Sequence, residues 1–228
     1  KSNEKNKIIV TDGVFSMDGD IADIRSLLSL CHQYDAHLFV DDAHGYGVLG
    51  SDGQGILEHT AMNKLLSKKD RDRIIYMFTL GKSVGVSGAI LCAKKNIIDF
   101  LIQKGKPYIY TTATMPAIAE GISLSLDLIK DGKILREKLI KNIQIFRESI
   151  RKKNLLMNSI TAIQPILIGS PEQTLYTSAC LLDQGFYVPA IRPPTVPKNQ
   201  SRLRVSLSAN HSKNDVLGLT KAINRLTR

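Results

Sequence analysis

Apolar positions along this chain follow two periods, and the switches between them predict the elements. KIIV (7–10), HLFV (37–40) and IIYMF (74–78) are nearly unbroken apolar runs of strand length, and polar residues follow each: Thr11 and Asp12, Asp41 and Asp42, Thr79 and Lys82. Unbroken rather than alternating runs point to strands covered on both faces, as in parallel sheets. Strands are therefore predicted at 7–11, 37–41 and 73–79. Between the first two, Ile21, Ile24, Leu27, Leu28 and Leu30 mark one side of a helix over about 21–34. GYGVLGSDGQG (45–55) has five glycines in eleven residues and reads as a loop, and 60–72 reads as a polar, exposed insertion. GVSG then leads straight into AILCAK. A connection that short cannot carry a parallel crossover, so the next strand is antiparallel and the sheet mixed.

Helices are predicted at 96–103, 115–130 and 132–152, the last two parted by Asp131-Gly132. The pattern changes after Asn154. Strand TAIQPILIG, helix 171–185, strand FYVPAI, strand RLRVSLSA and helix 213–227 follow, with Ser212, Asn214 and Asp215 all able to cap the last helix. Arg202 and Arg204 alternate with Leu203 and Val205, which predicts a solvent-facing pair of arginines. No internal repeat is evident. The fold class expected is α/β: part of a mostly parallel mixed sheet with flanking helices (1–115), linking helices (116–153) and a small α+β C-terminal domain (154–228), with the boundary near 150–158.

Composition narrows the function classes. In 228 residues, 43% hydrophobic content is enough for a core, no apolar stretch nears the ~20 residues of a membrane helix, and KSNEKNK has no apolar run behind it. A cytoplasmic protein without a membrane partner is expected. Cys31, Cys92 and Cys180 are odd in number and widely separated, which predicts packing residues rather than a disulfide framework or zinc site. A net charge of +10 raises nucleic acid as a partner. The cations, however, concentrate in 64–73 and 130–153, where they alternate with acids or a helical apolar stripe, and 6% aromatics without Trp offer little for base stacking. Solvated faces are expected, and no nucleic-acid partner.

The strand ends carry the candidate chemistry, because ligands of open α/β sheets settle beyond the carboxyl ends of the strands. Neighbouring strand residues face opposite ways, so only one of Asp41 and Asp42 can look into a site there. Such an acid is partly desolvated and suits a pyridinium nitrogen or a metal, or else it caps a loop. His44 joins them in DDAHG, yet no H-x-x-x-H or C-x-x-C spacing accompanies it, and no metal site is expected. Gly81-Lys82-Ser83 imitates the end of a phosphate-binding P-loop, but Tyr76 stands where the motif needs its first glycine. A lysine between glycines at a strand end can reach a carbonyl ligand and form a Schiff base if desolvated; otherwise it is a surface residue.

Together DGVFSMDGD (12–20), VDDAHGYGVLG (40–50), TLGKSVGVSGA (79–89) and YTTATMPA (110–117) resemble the pyridoxal-phosphate-dependent α-oxoamine synthases, from about Ile8 to the C-terminus. Members of that family condense an amino acid with an acyl-CoA and lose CO2. The resemblance implies the aminotransferase-like large domain, pyridoxal 5'-phosphate as cofactor and a homodimer. It also implies residue roles: Lys82 would hold the cofactor covalently, Asp41 would pair with the pyridine nitrogen, and His44 and Ser16 would lie at the ring's phenolic edge. Thr79 would meet the phosphate, and Thr111 or Thr112 the phosphate of a neighbouring subunit. Arg192, aimed by Pro193-Pro194, would clamp the amino-acid carboxylate in two parallel hydrogen bonds, and Thr195 would face the acyl part. AIRPPTVP (190–197), with DDAHG and GVSGA, is most similar to members using L-alanine and a pimeloyl thioester in biotin synthesis; glycine-using members are the alternative. Outside that class stands a non-catalytic basic binding module. The family's N-terminal part, with a glycine-containing phosphate loop and a ring-stacking histidine, has no counterpart here, so an N-terminally incomplete chain is expected.

Overall fold

The computed structural model describes residues 4–227, which form two compact units: residues up to Val14 with Ile21–Lys133, and Phe15–Asp20 with Ile134 onward. In the first unit the order is β1 (Ile8–Asp12), α1 (Ile24–Tyr34), β2 (His37–Asp41), three short helices α2 (Ile56–His59), α3 (Met62–Leu65) and α4 (Lys68–Arg71), β3 (Ile74–Thr79), β4 (Ala89–Cys92), then α5 (Lys95–Lys104), α6 (Lys106–Ile109) and α7 (Pro116–Asp131). The sheet runs β1-β2-β3-β4, with the first three strands parallel and β4 antiparallel to β3. The mixed sheet predicted from the short GVSG connection is present.

Register fixes what the strand ends present. Asp12 pairs with Asp41 and Asp41 with Met77, so the polar residues that close the apolar runs come out along one edge of the sheet. Leu38 and Val40 of the central β2 are fully buried, and α1 covers the sheet with Ile24, Leu28 and Cys31. Asp23 caps α1 by accepting from Ser26 N at 3.1 Å, and Asp35 ends it in the left-handed region at φ 48°. The 60–72 stretch is not simply exposed, as its polarity predicted. Met62 is buried, and Ser67 and Asp70 form a capping box that starts α4. Of the cysteines, Cys31 is buried and Cys180 half-buried, while Cys92 is exposed, against the expectation that all three pack; all three are free thiols.

The second unit comprises α8 (Lys133–Ser149), β5 (Ile163–Gly169), α9 (Pro171–Asp183), β6 (Ala190–Ile191), β7 (Ser201–Ser206) and α10 (Lys213–Leu226) around an antiparallel sheet β5-β7-β6. Composition placed the boundary at 150–158; α8 packs with this unit, through buried Leu139, Ile143 and Phe146. Ser212 is the cap of α10, in a capping box with Asp215. Only Ala190 and Ile191 of FYVPAI form strand: Pro189 lacks an N–H to donate, although its carbonyl still accepts from Arg204 N of β7 at 3.0 Å.

The expectation of solvent-facing arginines on β7 is overturned. Arg202 is 1% exposed; its guanidinium pairs with Asp18 and donates to Gln200 O at 2.9 Å. Arg204 Nε donates to Ser16 O at 2.6 Å. Alternation assigned both residues correctly to one face, but segment Phe15–Asp20 covers that face. The Gly19 carbonyl of the segment also accepts from Ser159 and Thr161 hydroxyls, each at 3.0 Å. A buried guanidinium is tolerated because an acid and a carbonyl replace its water. Among the described residues no helix is long and apolar enough to cross a membrane.

Candidate active site

Two loops leave the polar edge of the first unit's sheet and meet. The one after β2 carries His44, the one after β3 carries Lys82, and Lys82 Nζ lies 2.9 Å from His44 Nε2, at hydrogen-bond distance. Ser83 ties the loops a second time, its hydroxyl donating to Tyr46 O at 2.6 Å, and the Tyr46 ring stacks on Phe78 of β3 at 3.6 Å between centroids. Lys82 is exposed and His44 half-buried. An amine beside an imidazole can trade a proton with it, and its exposed position leaves it reachable by a carbonyl compound.

Asp41 ends β2 and accepts at Oδ1 from Ala43 N, 3.0 Å away. Thr79 ends β3 with its hydroxyl buried and unpartnered. A buried hydroxyl left unsatisfied is costly. One three residues before a lysine, at a strand end, fits a phosphate oxygen that arrives with a ligand, and the amine, imidazole and carboxylate that follow strands of the same sheet edge are groups that a phosphorylated pyridine aldehyde takes. Thr111 and Thr112 are exposed beyond α6, and the Thr111 hydroxyl already donates to Pro107 O. Ser16, Arg192 and Thr195 belong to the second unit. There Ser16 is half-buried with its carbonyl held by Arg204, while Arg192 and Thr195 are exposed at the two ends of a turn closed by Thr195 N donating to Arg192 O at 3.1 Å.

Sequence reasoning left open which aspartate points inward. Asp42 is the buried one, 0% exposed, with Tyr76 and Ile56 as donors. Burial first, and the neighbouring Asp41 charge last, push its carboxyl up to about 6 against the two hydrogen bonds; burial and the Asp42 charge likewise push the Tyr76 phenol up. A carboxyl raised above its unfolded value of 3.8 holds its proton more tightly when folded. Its stabilising contribution is full below about pH 4 and is lost as pH rises through about 6, a difference of about 3 kcal/mol for a two-unit rise. Denaturant titrations between pH 4 and 8 should therefore show wild-type stability falling, relative to Asp42→Asn, by about that amount; parallel curves would contradict the assignment.

Residues 1–223 match the model of the family described as aminotransferase class I and II. The 8-amino-7-oxononanoate synthase of Methylobacillus flagellatus is 47% identical over 227 residues, which are 99% of this chain and 56% of that protein. The crystal structure of 8-amino-7-oxononanoate synthase from Francisella tularensis is 30% identical with a TM-score of 0.82, covering 96% of this chain and 62% of its own. A structure of SPT with a PLP internal aldimine is 25% identical with a TM-score of 0.88, over 99% and 56%. The chain spans about half the length of the curated relatives it matches. With a mostly parallel mixed sheet, a lysine meeting a histidine beyond its strand ends and a family match along almost its whole length, the chain belongs to the aminotransferase class I and II family.

Proposed function

We propose that the protein condenses L-alanine with pimeloyl-CoA, or another pimeloyl thioester, to 8-amino-7-oxononanoate, CoA and CO2 in biotin biosynthesis, using pyridoxal 5'-phosphate. The likeness to 8-amino-7-oxononanoate synthases along nearly the whole chain carries this reading. The Lys82–His44 contact and the unpartnered Thr79 hydroxyl support the cofactor. When bound, the cofactor supplies a protonated pyridine ring that accepts the electrons released at the amino acid's α-carbon.

The chain's own residues do the rest. With the cofactor bound, the Lys82 amine would hold it covalently and, when free, would serve as the base for the α-proton; His44 Nε2, 2.9 Å from that amine, is placed to share the proton. Asp41 would keep the ring nitrogen protonated, and the Thr79 hydroxyl would donate to the phosphate. Ser16 serves the phenolic oxygen, Arg192 the substrate carboxylate and Thr195 the acyl part. Thr111 and Thr112, both exposed residues, serve the phosphate of a second subunit. The protein works in the cytoplasm as a homodimer; the apolar side chains that α7 leaves exposed, such as Leu124 at 58% and Leu128 at 72%, support a protein partner.

The test pairs L-alanine with pimeloyl-CoA against glycine with acetyl-CoA, following CoA and CO2 release by protein expressed from its full coding sequence. The first pair should lead in kcat/KM by at least about tenfold, the scale of discrimination one methyl group allows. Preference for the second pair would replace the substrate assignment. Turnover of neither, together with salt-sensitive nucleic-acid binding, would favour a binding module instead.

A further inference from the structure

Asp42 is costly to bury and has no role in the chemistry above. Its Oδ2 accepts from the Tyr76 hydroxyl and from Ile56 N at 2.7 Å, while Oδ1 has no partner. Three glycines, Gly13 after β1 and Gly45 and Gly55 at the two ends of one loop, make room for it. A Cβ on Gly13 or Gly45 would lie 2.6 or 2.1 Å from Oδ1, and one on Gly55 would lie 1.9 Å from Oδ2. Gly55, at φ +81°, also needs glycine for its backbone; Gly13 and Gly45 do not take positive φ, so at Gly45 the carboxylate alone requires the bare Cα, and at Gly13 it does so together with Ile56 Cγ2, 3.0 Å from an added Cβ. A smaller apolar residue would avoid both the desolvation and the orphaned oxygen.

The hydrogen bonds indicate what the carboxylate accomplishes. Through Oδ2 it joins the start of the 43–55 loop to the loop's far end at Ile56, and Tyr76 adds a contact to Gln54 O at 3.2 Å. The Asp42 carbonyl accepts from Gly45 N at 3.1 Å and Tyr46 N at 3.0 Å, which closes the turn containing His44. Ser83, beside Lys82, holds that turn from the other side through Tyr46 O. We infer that Asp42 is a positioning residue: its carboxylate, clasped by Tyr76 and Ile56 among three glycines, fixes the loop that sets His44 against Lys82. The inference rests on the catalytic reading of that pair, and it gives DDAHG a division of labour: the first aspartate faces the ligand and the second secures the turn.

The test uses Asp42→Ala, which removes the acceptor altogether, and Tyr76→Phe in the full coding sequence. Tyr76→Phe keeps the carboxylate but removes its side-chain donor, and so remains informative if the first variant folds poorly. Backbone amide exchange over residues 43–56, measured on cofactor-free protein, should quicken about tenfold in both variants, the scale of one lost hydrogen bond, with α9 and α10 unchanged. In cofactor-loaded protein the pH midpoint of the visible absorbance change should move by about half a unit or more, and kcat should fall while KM holds. Asp42→Ala with Gly45→Ala adds a check, because removing the carboxylate should relieve the clash that Gly45→Ala causes alone. Wild-type exchange together with an unmoved midpoint would overturn the inference. A wild-type protein that never develops the visible band would defeat the catalytic reading instead, and the exchange data would still decide the role of Asp42.

Discussion

Replacing Lys82 by alanine is expected to abolish the covalent pyridoxal-phosphate signal in the visible spectrum and to lower turnover by about 10³-fold or more, with the thermal midpoint almost unchanged. The size follows from losing two services at once, the covalent anchor and the base for the α-proton, each a large factor by itself. The small effect on stability follows from exposure: Lys82 fills no core, and when its tie to His44 is lost the Ser83 hydrogen bond to Tyr46 O still fastens the two loops. Spectra and single-turnover rates on the same preparations would check both halves. A variant that retained the covalent band at the same site would show that another amine carries the cofactor.

Asp41→Asn should come next in severity, lowering kcat on the order of a hundredfold while cofactor still binds. Asparagine is nearly the same shape and keeps an acceptor for Ala43 N, now 3.0 Å from Oδ1, so the turn beyond β2 should persist. What disappears is the negative charge that holds a proton on the ring nitrogen, and a neutral ring is a much poorer acceptor of electrons. Steady-state kinetics with a cofactor titration would separate these effects. If affinity collapsed and kcat survived, Asp41 would be a binding residue and not an electronic one.

Much of this architecture was legible because it rests on short-range patterns. The apolar runs that end at Thr11, Asp41 and Thr79 are strands, and the four-residue GVSG link forces β4 to run antiparallel. Ser212 and Asp215 form the capping box of α10 three residues apart, among the caps the sequence offered. What stayed hidden is long-range. Nothing local ties Ser16 to Arg204 or Asp18 to Arg202, 188 and 184 positions away, so alternation could name their face but not its cover. The meeting of His44 with Lys82 across 38 positions is likewise a product of strand order. The glycines enclosing Asp42 looked like loop composition, because a residue chosen for room and one chosen for backbone freedom are spelled the same way.

The segment Phe15–Asp20 has a consequence for how this fold can be recombined. The unit starting at Ile134 is not a cassette delimited by its own stretch of gene, since six residues from far upstream complete it. Transplanting 134–228 alone would strip the cover from the face that carries Arg202, take the counter-ion from its guanidinium and leave the Ser159 and Thr161 hydroxyls facing a missing carbonyl. Exchange between homologues should therefore succeed only when the upstream hexapeptide travels with the tail, and Asp18 and Arg202 should be inherited or lost as a couple.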